Sequence, residues 1–309
     1  MITVSFYGNG LVANNTAAVL RGREGVEVRG PYGRDERDAA LRSGADVVVI
    51  ATTSFLAQVA DDVQTAVEAG SNVITTAEEA AQPWANDPAI ADRLDALARE
   101  RGVTILGAGL NPGFAFDALV LTVCGAAPEV ESLLVERVVD LSGFGETVLR
   151  RIGVGHTREG FEEGKRAGTV TGHIGFPQSM RVVAERFGVE IERIDAEIEP
   201  LFAERELCGR SITVAAGETA GFRQHYVALV NGAPWFEALF TGHLVPAEIG
   251  LEPRDAIHVR GPAELHFFAQ PGLNPQSGTA AVLANSVRRV VEARSGWVTV
   301  GELPPAVPR

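Results

Sequence analysis

Cysteine is nearly absent: the chain has two in 309 residues, Cys124 and Cys208. They share no motif spacing and sit among apolar neighbours. That excludes a disulfide framework and reads as two buried thiols in a reducing compartment. No H-x-x-x-H, no C-x-x-C and no carboxylate cluster at ligand spacing occurs, so no metal site is expected. No G-x-S-x-G appears, which removes the nucleophile elbow of a serine hydrolase. Positive charge is the scarcer sign, 27 Lys and Arg against 40 Asp and Glu, for a formal net charge of -13. With no basic run, nucleic acid is not the expected partner. No apolar run is long enough to span a membrane, and Met1 leads straight into a strand with no basic region ahead of an apolar one. Neither a membrane partner nor an export signal is expected, and the chain reads as cytoplasmic. There is no internal repeat and no low-complexity linker.

What is present is the composition of an ordinary folded chain, 46% hydrophobic and 22% charged. At this length two domains are the better expectation. The organising stretch is the first one. Ile2, Val4 and Phe6 alternate as in a buried strand, Gly8-Asn9-Gly10 makes a tight turn, and Val12, Ala13, Ala17 and Leu20 give one face of a helix. A strand that breaks on G-x-G and restarts as a helix aims free backbone N–H groups and the positive helix end at one point, which suits a pyrophosphate. Gly8 permits the turn, Gly10 admits a phosphate close to the backbone, and Ala13 supplies the small residue that helix–strand packing needs. Gly8, Asn9, Gly10, Leu11 and Val12 are therefore expected to bind a dinucleotide.

A second strand over Val26 to Arg29 ends without an acid before Asp35. An acid there would favour NAD, whereas a nearby arginine accommodates the extra phosphate of NADP. The expectation is NADP, with NAD possible, and Arg34 or Arg29 as the phosphate partner. Asp46 to Ala51 reads as a buried strand closing on Thr52-Thr53-Ser54, and Asn72 to Thr75 as another closing on Thr76. Ligands of doubly wound sheets lie beyond the carboxyl ends of the strands, which brings Ala51, Thr52, Thr53 and Thr76 to the cofactor. Asp87-Pro88 starts a helix that Gly102 ends, and Val103 to Leu106 is the next strand. This βαβα alternation predicts an α/β fold with a mostly parallel sheet.

From about Glu131 the pattern changes to longer, less regular segments, with Val135 to Val139, Ser211 to Ala216, Tyr226 to Val230, Phe236 to Leu239 and Ile257 to Val259 as strands of a mainly antiparallel sheet. Ser277 to Arg294 is a helix expected to return to the first domain. The predicted organisation is a Rossmann domain over residues 1–130, an inserted α+β domain over 131–272 and a C-terminal segment, 273–309, packing back. A sheet of the second kind invites a homodimer.

Four residues carry candidate chemistry. Asn111, in the glycine-dense loop Gly107 to Gly113 after a strand, is placed to bond the nicotinamide carboxamide or orient a substrate nitrogen. Asp140 and Ser142, at the end of an apolar strand, put an acid and a hydroxyl together, as proton delivery to a C=N bond requires. His173 lies between glycines, where a ligand can approach. Asn111, Asp140 and Asn-before-proline turns also have plain structural readings, as turn or cap residues. His225, His243, His258 and His266 are scattered through strands and read as structural.

Six motifs in order then match a known family: GNGLVA at Gly8, TTAEEAAQPW at Thr75, GAGLNPGFAFDAL at Gly107, VERVVDLSG at Val135, the Arg151 to Gly175 glycine-rich segment, and SGTAAVLANSVRRVVEARSGWVTVGELP from Ser277. The chain resembles the dihydrodipicolinate-reductase-like oxidoreductases, in the branch of 2,4-diaminopentanoate dehydrogenase and the native amine dehydrogenases. The resemblance implies a Rossmann domain, an inserted α+β domain that carries substrate and supports dimerisation, and NAD(P)H-dependent reduction of an imine or its reverse, oxidative deamination. Two departures stand out. The lysine-containing histidine-pair motif of true dihydrodipicolinate reductases is absent, and Asn111 stands close to where native amine dehydrogenases use a glutamate. The expected partner is thus a small amine, ketone or imine. A C=O or C=C reductase on the same fold, and an NADP sensor without turnover, are the alternatives.

Overall fold

The computed structural model describes residues 1–308. Its elements begin β1 (Ile2–Tyr7), α1 (Leu11–Arg21), β2 (Val26–Tyr32), α2 (Arg37–Leu41), β3 (Val47–Ile50), α3 (Leu56–Glu68), β4 (Asn72–Thr75), α4 (Pro88–Arg101) and β5 (Thr104–Gly107). They continue with α5 (Ala118–Cys124), β6 (Ser132–Asp140), α6 (Glu146–Arg151), α7 (Arg158–Ala167), α8 (Phe176–Phe187), β7 (Arg193–Phe202), β8 (Leu207–Cys208) and β9 (Thr213–Val214). The remainder are β10 (Thr219–Val230), β11 (Ala233–His243), β12 (Arg254–Arg260), β13 (Leu265–Ala269), α9 (Pro275–Glu292) and β14 (Gly296–Val298). Two compact units result: Met1–Leu121 with Pro177–Gly188 and Asn274–Arg309, and Thr122–Phe176 with Val189–Leu273.

The first unit holds a six-stranded sheet, β14-β5-β4-β3-β1-β2, in which every pairing is parallel. A parallel sheet needs cover on both faces, and the Val-Val-Val-Ile run of β3 supplies apolar residues to both. Val48 and Ile50 enter one core with Val59 and Val63 of α3 and Leu94 and Ala98 of α4. Val47 and Val49 enter the other with Ala13, Ala17 and Leu20 of α1 and Leu283, Val287 and Val290 of α9. Local signals act as expected at α4, where the Asp87 carboxylate accepts from the Ile90 N–H at 3.1 Å, ahead of Pro88, and Gly102 closes the helix in the left-handed region.

Three expectations are revised here. β2 does not stop at Arg29: it continues to Tyr32, whose carbonyl accepts the Gly8 N–H at 3.0 Å, because a register shift in β1 past Ser5 re-forms the pairing at Tyr7–Tyr32. The chain leaves the parallel-sheet unit after Leu121 rather than at 130. It also revisits that unit at 177–188, inside the span expected for the second domain, because the apolar face of α8 puts Val182 into the parallel-sheet core.

The second unit is built on a mixed sheet, β13-β12-β6-β11-β10-β7. Four pairings are antiparallel and β6–β11 is parallel, so the sheet is not uniformly of the hairpin kind. The turn joining β10 to β11 is Asn231-Gly232, both at positive φ, as a two-residue hairpin turn requires. Ser211 to Ala216 is not a strand of this sheet; only Thr213–Val214 pairs, with Leu207–Cys208, as a separate hairpin. In that short edge Leu207 turns inward and Cys208 outward, so Cys208 is exposed while Cys124 is buried. β7 and β13 lie outside the predicted strands. β7 is an edge strand in which Arg193 to Glu199 alternate charged and apolar residues, a period-2 signal that the strand expectations left unused, with Pro200 near its end. On the inner face Arg137 and Asp255 form a buried ion pair at 2.5 Å, and Leu273 donates its N–H to Asp255 while its carbonyl accepts from Arg137.

Candidate dinucleotide site

β1 lies between β2 and β3, so the strand order reverses at its carboxyl end, the position where doubly wound sheets form a ligand crevice. Gly8 has φ +104°, and a Cβ there would stand 2.3 Å from the Ala51 carbonyl oxygen. Only glycine lets β1 turn this tightly against the end of β3. Ala51 is fixed by its own N–H, donated to Tyr7 at 2.8 Å. α1 then starts at Leu11 with Gly10 as its N-cap: no side chain caps it and no acid lies in its first turn. A Cβ on Gly10 would meet no protein atom within 4 Å. Asn14 pins the loop by donating to the Asn9 and Gly10 carbonyls at 2.7 and 3.0 Å. The opening N–H groups of α1, at Leu11, Val12 and Ala13, lie at the positive helix end, which suits a diphosphate.

At the end of β2, Arg29 is engaged by Glu27 at 2.9 Å and by the Ser43 carbonyl at 3.0 Å. The Glu36 carboxylate turns back onto the Gly33 N–H at 3.2 Å. Arg34 lies exposed on the same single turn, and Gly33 borders Asn9 of the glycine loop. Of the two arginines considered for an extra phosphate, Arg29 is held by the protein and Arg34 is the exposed one.

Thr52 stands beside the glycine loop, its Cγ2 3.4 Å from where a Gly8 Cβ would be. Thr53 is engaged locally: its hydroxyl donates to Gln58 at 2.6 Å and accepts from the Phe55 N–H at 3.3 Å, next to the start of α3. That helix start also takes the Glu79 carboxylate, which accepts the Leu56 N–H at 2.7 Å. The T-T-A-E-E segment thus fastens the end of β4 to the end of β3, and Thr76 donates its N–H to Ile50 at 3.0 Å.

After β5 the chain folds on itself. Gly113 has φ +120°, and a Cβ there would lie 2.4 Å from the Gly109 nitrogen. At the bend sits Asn111, whose Oδ1 and Nδ2 are both buried and without a hydrogen-bond partner in the protein. A buried carboxamide with neither atom satisfied costs on the order of several kcal/mol. Its strand ends on the same carboxyl edge as β1, three strand spacings or about 14 Å away.

The mixed-sheet unit holds the other three candidates. Asp140 is exposed at the end of β6, and its carboxylate accepts the Ser142 N–H at 2.8 Å, so the two residues meet through a turn. α6 starts at Glu146, so Asp140 caps this turn rather than a helix near Phe144. His173 is held by its backbone, donating to Gln224 Oε1 at 2.9 Å and accepting from Gln224 Nε2 at 3.0 Å. Its ring lies tilted against Phe176 and edge-on to Phe240, at 5.2 and 5.6 Å between centroids. His243, opposite Asp140 in the β6–β11 register, is buried and bonds Val245 through Nδ1. His225 pairs with Glu237, and His258 with both Glu136 and His266. Sequence reasoning passed over Gln178, Ser179 and Gln224. The first two lie on α8, whose apolar periodicity is broken by Pro177 and Arg181.

A glycine cradle at a switch point and an uncapped helix start at the carboxyl edge of a parallel sheet define the class: a Rossmann-type dinucleotide-binding fold. Comparison with known proteins narrows it. Residues 114–309 match the family model described as the 2,4-diaminopentanoate dehydrogenase C-terminal domain. The chain is 31% identical over 334 aligned positions to the 2,4-diaminopentanoate dehydrogenase of Acetoanaerobium sticklandii, covering 100% of this chain and 94% of that one. Among solved structures, the amine dehydrogenase from Mycobacterium smegmatis matches with a TM-score of 0.86 at 22% identity, over 100% of this chain and 97% of that one. Biliverdin reductase from Synechocystis, solved with biliverdin and NADP+, matches with a TM-score of 0.52 at 16% identity, over 87% and 80%. The chain belongs to the 2,4-diaminopentanoate dehydrogenase family, whose members are pyridine-nucleotide-dependent oxidoreductases acting on amino groups.

Proposed function

We propose that this protein carries out the NADP-dependent oxidative deamination of a small aliphatic amine or diamino acid, and the reverse reductive amination of the matching ketone. The observation that carries this reading is the uncapped, acid-free start of α1 behind Gly8 to Val12, in a chain of the diaminopentanoate dehydrogenase family. When bound, the dinucleotide supplies hydride chemistry, for a balance of ammonium substrate, NADP+ and water giving ketone, ammonium, NADPH and a proton. The chain's own residues bind and orient. The first N–H groups of α1 hold the diphosphate, Arg34 the additional phosphate, and the Asn111 carboxamide bonds the nicotinamide carboxamide. Thr52 and Thr76 line the strand ends between them. Asp140, Ser142 and His173 are the residues of the mixed-sheet unit assigned to hold or move a proton at the substrate nitrogen.

The second unit also supports a homodimer. Register puts Glu136, His258, His266, Phe268 and Leu239 on the sheet face opposite the buried Val135, Phe236 and Ala238, and Phe268 is 60% exposed there. Among the described residues no helix is long and apolar enough to cross a membrane, and two free thiols suit a reducing cytoplasm.

The test supplies NADP+ with 2,4-diaminopentanoate and a panel of simple amines, measuring NADPH and ammonium together. One ammonium released per NADPH, and ammonia dependence in reverse, is the expected result. Ketone reduction without ammonia replaces this reading with a carbonyl reductase. Cofactor binding without turnover on any substrate replaces it with a sensor.

A further inference from the structure

One buried titratable group has no part in the reading above. Asp117 is fully buried, and among the described residues no cation lies within ion-pair distance of it. Removing a carboxylate from water is expensive, and an unpaired one contributes little to stability in return. Burial raises its carboxyl above the usual carboxylate range, and the Gly113, Ser179 and Ala118 donors, with its own N–H, pull it only partway back. Two of these converge on one oxygen: Oδ2 accepts the Gly113 N–H at 2.7 Å and the Ser179 hydroxyl at 2.8 Å. The third, the Ala118 N–H, reaches Oδ1 at 2.7 Å. Ser179 lies in the first turn of α8, whose positive end favours an anion.

What those two donors have beside them is the point. Two residues before Gly113 is Asn111, with both amide atoms buried and unpartnered. One residue before Ser179 is Gln178, only 4% exposed, with a buried Oε1 that also lacks a partner in the protein. Both belong to the parallel-sheet unit. A single carboxylate oxygen therefore ties together the two segments that carry these unsatisfied carboxamides. Two unmet acceptors and one unmet donor complement a primary carboxamide, which offers two N–H groups and one carbonyl.

We propose that Asn111 and Gln178 form a two-amide clamp for the nicotinamide carboxamide, and that Asp117 is the positioning residue that holds both arms through Gly113 and Ser179. Gln178 Oε1 accepts one carboxamide N–H, and Asn111 takes the other N–H and the carbonyl. The inference rests on dinucleotide binding at the carboxyl edge of the parallel sheet and adds two residues to it. Ser179 supplies the link from Asp117 to the second arm.

The clamp is tested by binding, with NADPH and 2′-phospho-ADP-ribose, which lacks the nicotinamide, as paired probes in fluorescence and calorimetric titrations. Asn111→Ala and Gln178→Leu are each expected to weaken NADPH about tenfold, the scale of one lost hydrogen bond to a buried partner. Both should leave 2′-phospho-ADP-ribose unchanged. Asp117→Asn should weaken NADPH similarly, and should cost nothing further in the Asn111→Ala, Gln178→Leu background, the non-additivity of residues acting through one another. Ser179→Ala makes the same measurement with a smaller structural change, should Asp117→Asn unfold the chain. Equal losses for both probes, additive losses, or no loss in either single-arm variant overturn the clamp. Failure of the unaltered protein to bind either probe overturns the dinucleotide reading itself, and the clamp with it.

Discussion

Two strand ends in this molecule look alike in sequence and differ in structure. The loop after β5 and the turn after β6 each follow an apolar strand, each contain glycine, and each carry a polar residue suited to catalysis. After β6, Asp140 is exposed and its carboxylate accepts the Ser142 N–H, so the turn accounts for it. After β5, Asn111 is enclosed and neither amide atom finds a protein partner. Enclosed polar groups are nearly always bonded, so an unmet one supports the proposed ligand contact more strongly than an exposed group that a turn already satisfies. The difference lies in bonding, not in residue type.

Substitution makes that contrast quantitative. Asn111→Ala is expected to lower kcat about a hundredfold, the scale of losing one preorganised donor in a catalytic site. Asp140→Ala should cost less than about tenfold, below the roughly hundredfold or more of a lone proton-transfer group, because Ser142 and His173 share that assignment. Steady-state kinetics of both variants decide it, and a larger loss at Asp140 would reverse the ranking of the two strand ends. At Arg34 the effect falls on coenzyme affinity. Arg34→Ala should weaken NADP+ by roughly tenfold or more while leaving NAD+ unaffected, as removal of a charge-assisted bond to phosphate predicts. Calorimetry with both coenzymes reads this directly, and equal losses would remove Arg34 from the phosphate site.

The β6 side also makes a pH prediction. Burial holds the His243 imidazole below its ordinary 6.5, with its Val245 bond and the charges of Glu248 and Asp140 raising it in part. Because the folded value is the lower one, the unfolded chain takes up this proton first. The neutral ring's contribution is intact above about pH 6.5 and is lost as pH falls through that range. Urea midpoints should therefore drop between about pH 7.5 and about pH 5, and His243→Gln should drop less. Parallel curves for the two proteins would contradict it. Least disruptive is thiol labelling. Cys208 is exposed, while burial pushes the Cys124 thiol up to about 11, so a maleimide should modify Cys208 first and reach Cys124 only on unfolding.

The parallel-sheet unit was legible because its signals are local. β3 is a four-residue apolar run, α4 carries its cap, first-turn proline and closing glycine, and Gly8 to Val12 states its geometry in five residues. The mixed-sheet unit was less so. β7 did carry a signal, alternating charged and apolar residues, that was passed over, and β13 is a short edge strand whose partner becomes evident only once β12 is placed. α8 was hidden for another reason: its assignment to the parallel-sheet unit depends on Val182 meeting a core assembled from residues far away in sequence. At the site, Asn111 and the glycine loop could be named from motif and position. Asp117 lay in plain view as the one charge in the apolar run Phe114 to Cys124, but its partner Ser179 is 62 residues away. No pattern in a single chain pairs those two; folding does.

The claim beneath all of this is that the open space over Gly10 is where a diphosphate sits. Gly10→Ala isolates it, because the added Cβ meets no protein atom within 4 Å and the backbone there is ordinary extended chain. The measurement is calorimetric titration of NADP+ into this variant and the unaltered protein, with thermal melting as the control. The prediction is an unchanged melting temperature with coenzyme affinity reduced by about tenfold or more, since the second glycine of such a loop exists to admit the phosphate. Undiminished NADP+ affinity in a normally folded Gly10→Ala protein would contradict the account.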